Sequence, residues 1–89
     1  MPRNSRKPAI DAAKALLWEL DQQLATVKDL GGIETFIIED HEKTLKEIRS
    51  DLESKTITDE KLRQTLERLG RMADRIVHLW IARDPKLVR

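Results

Sequence analysis

Two histidines are the residues of this chain best suited to catalysis or metal ligation. His41 sits in Glu39-Asp40-His41-Glu42. Metal ligands on one helix converge at spacings of three or four, and these carboxylates stand too close to His41 to share its face. The pattern therefore predicts a boundary histidine bonded to a neighbour. His78 has Asp74 four residues before it, the spacing of a hydrogen-bonded pair on one helix. That pair has no nucleophile and no third ligand beside it. Gly31-Gly32 lacks the spacing and the lysine of a phosphate-binding loop. Ser5, Ser50 and Ser54 stand in no strand-turn-helix context with a histidine. Carboxylates are abundant, but acid–base work needs an enclosure that shifts a pKa. The expectation is a protein without catalytic residues, resident metal or cofactor.

The elements that would position any site are helical. Charged residues make up 37% of the 89 and aromatic residues 3%, while leucines and isoleucines keep a period, the mixture of a helix-former. One domain is the prior at this length, with a modest core. The chain contains no cysteine, so disulfides and thiolate chemistry are excluded. No apolar run is long enough to span a membrane, and no signal-type segment follows the basic start. The expected setting is cytoplasmic.

The strongest local signal begins at Thr58, an N-cap followed by Asp59 and Glu60, with Ile57 and Leu62 placed as a hydrophobic staple. Leu62, Leu66, Leu69, Ala73, Ile76 and Trp80 then recur at steps of three and four, which predicts their face as the core. Asp84-Pro85 stops the helix. Gly70 inside it invites a close helix contact or a slight bend. Ile10, Ala13, Leu17, Leu20, Leu24 and Val27 form a second seam, widened by Leu16 and Leu30 and stopped by Gly31. Ile33 to Ile38 is β-branched enough for a strand but has no partner strand. Helix is therefore preferred, with a stripe of Ile37, His41, Thr44, Leu45, Ile48 and Leu52.

These readings predict an all-α, elongated antiparallel three-helix bundle with helices over residues 8–30, 33–54 and 58–84. A basic arm (residues 1–7) precedes the single domain (residues 8–85), and a frayed tail (residues 86–89) follows. The regular first seam also suits a bundle that completes its core as a homodimer through coiled-coil packing.

Leu45, Ile48, Leu52-Glu53-Ser54 and Ile57, leading into a further helix, faintly resemble the helical hairpin of the exonuclease VII small subunit. The resemblance covers a minor part of the chain. Lys55 stands where that family has glycine, and the first helix has no counterpart there, so it is not adopted.

Function is then a matter of spare faces. On a helical wheel Trp18 falls opposite the first seam, beside Ala15, Gln22 and Ala25, which are small or uncharged. A tryptophan so placed is a typical interface anchor. Val77 and Ile81 lie off the stripe that holds Ile76 and Trp80, giving residues 76–81 more apolar surface than two partner helices cover. The favoured expectation is a non-enzymatic adaptor, assembly subunit or small inhibitor. It would bind a protein partner through Ala15, Trp18 and Gln22, and through Val77, Trp80 and Ile81. Charge supplies the alternative. Residues 33–60 hold four basic and nine acidic side chains (net −5), and residues 61–89 hold eight basic and three acidic (net +5). Either the two blocks attract each other, or the basic one meets nucleic acid through Arg3, Arg6, Lys7, Arg71 and Arg75.

Overall fold

The computed structural model of the chain describes residues 6–83. Arg3, the rest of residues 1–5, the Asp84-Pro85 stop and the tail lie outside them. The described residues form three helices and no strand: α1 (Arg6–Leu30), α2 (Thr35–Glu53) and α3 (Asp59–Arg83). Each helix packs on the other two, in an up-down-up bundle measuring 48 × 26 × 17 Å.

Local chemistry sets the boundaries. α1 begins two residues earlier than expected. Arg6 is held at the bundle's lower end, where its guanidinium donates to the Ile57 carbonyl and pairs with Asp59 at 3.2 Å. Pro8 is still within the first turn, where backbone N–H groups have no intrahelical acceptor, so the ring is tolerated. Gly31 (φ 77°) and Gly32 (φ 93°) take the left-handed conformation that ends α1, and the Gly31 N–H donates to the Val27 carbonyl at 3.1 Å. α2 starts at Thr35, later than the expected residue 33, because Glu34 is extended (ψ 139°). The Thr58 hydroxyl accepts the Lys61 N–H at 3.1 Å, as an N-cap should, and Ile57 and Leu62 are both buried beside it.

The core is one cluster. α1 contributes Ala13, Leu17, Leu20, Leu24 and Val27, as its heptad predicts. Leu16 and Leu30 do not join it and stay exposed. α2 buries Ile38, Leu45, Ile48 and Leu52, while Ile37 and Thr44 are only half-buried. His41 occupies the seam position between Ile38 and Leu45. Its side chain is 11% exposed, and Nδ1 makes no hydrogen bond. The expectation of a bonded boundary histidine is thus corrected: the nearest carboxylate oxygen, on Asp40, is 3.8 Å away.

α3 brings the main correction. Its buried positions are Leu62, Thr65, Leu69, Met72, Ile76 and Leu79. Leu66, Ala73 and Trp80, expected at the centre of the core face, are its half-buried edge. The inward face is turned by about 50° from the expected one, at 100° per residue. Two adjacent apolar seams share this helix, and α2 selects between them. Thr65, 1% exposed, donates its hydroxyl to Asp51 at 3.4 Å. Lys61 and Arg68 reach the same carboxylate at 3.7 and 4.0 Å. The buried polar group thereby gains a partner, without which it would be costly to bury. Gly70 faces open space, with nothing within 4 Å of a built Cβ, so it serves no close helix approach. Its helix cost of about 1 kcal/mol relative to alanine is not offset there.

Candidate functional site

The first candidate surface is the outer face of α1. The seam turns Leu17, Leu20 and Leu24 inward, and at 100° per residue Trp18 must point away from it. Trp18 is 63% exposed, and Ala15, Gln22 and Ala25 around it are exposed as well. No helix of the bundle covers this indole. A large apolar ring in solvent, beside small or uncharged side chains, is the kind of surface that gains from being covered. Lys14 and Asp21 flank the patch. Asp21 also pairs with Arg49 of α2.

The second candidate lies at the far end of α3, and the structure divides it. Ile76 and Leu79 are core; Trp80 and Ile81 are half-buried, with Trp80 packed on the core. Only Val77 stands open, at 51%. The expected excess of apolar surface over residues 76–81 therefore reduces to Val77 and the edges of Trp80 and Ile81. Ion pairs show where these edges face. Lys61 and Arg68 of α3 reach α2, so Leu66, Ala73, Val77 and Trp80 lie on the opposite edge, toward α1. On α1, Asp21 and Lys28 reach Arg49 and Glu42 of α2, so Leu16 and Leu30 lie on the edge toward α3. The α1–α3 groove is thus bordered by Leu16, Leu30, Leu66, Gly70, Ala73 and Val77.

Trp18 belongs to a different surface, because it lies about 60° beyond Asp21 on the α2 side of α1. The structure does not bring the two expected contact groups into one patch. Phe36, 64% exposed in the first turn of α2, was not singled out by the sequence. Its signal was there: it stands beside the Ile37–Ile38 pair and off the stripe that continues through Leu45.

The cations are spent unevenly. Arg68 pairs with Glu47 at 2.9 Å, and its hydrogen bond is the main cause holding the Glu47 carboxyl below its ordinary pKa. Arg63 bridges Glu60 and Glu67 along α3. Its hydrogen bond, with that of Gln64, lowers the Glu60 pKa, and Glu60 in turn raises that of Arg63. Attraction between the acidic and basic blocks thus appears as α2–α3 ion pairs. Arg6 is engaged by Asp59, and Lys7 pairs with Asp11 at 3.5 Å. Arg71 and Arg75 have no carboxylate partner among the described residues and border a groove with Thr44 and Met72. They stand 12 and 16 residues beyond Asp59 in the sequence, or roughly 18–24 Å along the helix. Arg6 and Lys7 therefore do not share a surface with them.

His78 Nδ1 lies 2.8 Å from the Asp74 carbonyl and 3.6 Å from its carboxylate, at an exposed position. Among the described residues no group of three or more His, Asp or Glu side chains is placed to hold a metal ion, and no helix is long and apolar enough to cross a membrane. No family model, curated protein or solved structure matches the chain.

Proposed function

We propose that the protein is a non-enzymatic interaction module that binds a protein partner through the outer face of α1. The observation that supports this is Trp18, 63% exposed on a patch of Ala15, Gln22 and Ala25. An indole mostly in solvent adds little to folding that a smaller side chain would not. Against a partner it would supply a large, rigid contact at little entropic cost. The α1–α3 groove with Val77 and the edges of Trp80 and Ile81 is a second place for such contact. Paired charges on α2 and α3 would orient the encounter more than they strengthen it.

Trp18→Ala separates a contact residue from a structural one. Dilute Trp18→Ala should melt within about 0.5 kcal/mol of the parent chain, as exposed positions do, while losing the interaction. A loss of several degrees in melting temperature would make Trp18 a structural residue and end the proposal.

The second reading, a nucleic-acid accessory protein, rests on Arg71 and Arg75, two α3 arginines without a carboxylate partner among the described residues. It requires affinity for DNA or RNA that falls steeply with salt. Binding that is absent, or indifferent to salt, removes it.

A further inference from the structure

We propose that Arg71 and Arg75, with Thr44 across the α2–α3 groove, form a site for the dianion of a phosphate monoester or of inorganic phosphate. This site is separate from the α1 face and does not depend on it.

Arg68, Arg71 and Arg75 follow one another on α3 at steps of three and four. At 100° per residue they fall within an arc of about 60°, over about 10 Å of helix. That edge faces α2, because Arg68 pairs there with Glu47 at 2.9 Å. The three arginines, the half-buried Thr44 and the buried Met72 line a cleft of about 210 Å³. Sites for whole organic molecules begin near roughly 300 Å³, so this cleft suits a single functional group.

Charge names the group. Arg68 is spent on α2, with Glu47 taking its hydrogen bond and Asp51 at 4.0 Å. Arg71 and Arg75 have no carboxylate partner among the described residues. Glu67 and Asp74 border the outer side of the same two arginines. Glu67 is taken by Arg63 at 2.9 Å, and Asp74 lies beside His78 at 3.6 Å. Two like charges four residues apart on a helix repel each other, and a bound anion relieves that repulsion. A phosphate monoester carries about −1.5 to −2 at pH 7 and so balances both guanidiniums. A carboxylate or a phosphodiester brings one negative charge and balances only one of them.

Donor geometry agrees. Side chains four apart on a helix have Cβ atoms about 5–6 Å apart, so both guanidiniums can converge on one ion. Each offers a planar fork that matches phosphate oxygens bidentately. Thr44 donates its hydroxyl to the Asp40 carbonyl at 3.1 Å. That hydroxyl can rotate toward an anion, since the helix already supplies the carbonyl with a backbone N–H.

Titration of the full chain with inorganic phosphate at constant ionic strength, followed by the arginine Nε–Hε signals in nitrogen–proton correlation spectra, tests this. Saturable shifts at Arg71 and Arg75 are expected, with none from chloride. Arg71→Gln and Arg75→Gln should each weaken binding about tenfold or more, the loss of one charge-assisted contact. Arg75→Lys keeps the charge without the fork and should weaken it less. Without phosphate, both Gln variants should melt at or slightly above the parent, because a repulsion is removed. Dimethyl phosphate, a monoanionic diester, should bind at least about tenfold more weakly. A phosphoserine peptide that binds more tightly than inorganic phosphate places the group on a protein partner; equal affinity identifies the free ion. Shifts that do not saturate, or an equal response to dimethyl phosphate, overturn the proposal. So does an oligonucleotide that binds where phosphate does not, which returns these arginines to the nucleic-acid reading. A Gln variant melting several degrees below the parent also overturns it, by making the arginine structural.

Discussion

Ile76→Asp should abolish the cooperative melt, while Val77→Asp, one residue on, should leave it nearly in place. Ile76 is 0% exposed within the cluster formed by all three helices. A carboxylate there has no partner, and an unpaired buried charge costs about 3–5 kcal/mol. A chain of 89 residues has a total stability of roughly 4–13 kcal/mol, so that cost, added to about 2–5 kcal/mol for the lost isoleucine side chain, removes most or all of it. Val77 is half exposed, and the same carboxylate keeps its water. Its loss should stay near 1 kcal/mol, for the part of its apolar area that is covered in the fold. Urea melts followed by circular dichroism at 222 nm, the ordinary helix signal, measure both. Equal losses at the two positions would mean that the inward face of α3 is misassigned.

The second large effect tests the same rotation without a charge. Met72→Ala should cost about 2–5 kcal/mol, as truncating a buried side chain of that size does. Leu66→Ala should cost less, because the open groove already gives Leu66 water on one side and no closed cavity forms. Midpoints should shift with little change in the slope of unfolding against urea, since neither change alters the surface exposed. If Leu66→Ala is the more damaging, the seam expected from periodicity is the real core. The α1–α3 groove would then be closed.

These pairs mark where sequence reasoning reached its limit. The a/d pattern of α1 left one seam to bury, and the structure buries it. On α3, Leu62, Leu69 and Ile76 belong to either choice of face. The decision falls on Thr65, Met72 and Leu79 against Leu66, Ala73 and Trp80. Hydrophobicity favours the second set, since threonine reads as polar. Asp51 reverses that preference by giving the buried hydroxyl an acceptor. The acceptor comes from another helix, so no window of α3 alone contains it. His41 is the converse case. Its neighbours in sequence suggested a bonded side chain, but packing of Ile38 and Leu45 against the other helices carried it into the seam.

Legible in the sequence were local features: three helices, the Thr58 cap, the Gly31 stop, the inward face of α1, and a tryptophan on the face opposite. Each follows from spacing, from left-handed glycines or from a hydroxyl before two carboxylates, all within a few residues. The packing of the three helices added the relations between them. It chose which of two α3 seams is core, tied Arg6 to Asp59 and Arg68 to Glu47, and left Arg71 and Arg75 without carboxylates among the described residues. It also left Trp18 uncovered, because α2 and α3 both lie on the far side of the α1 seam. Exposure is a property of what the rest of the chain fails to reach, and that depends on where three rigid rods settle against one another.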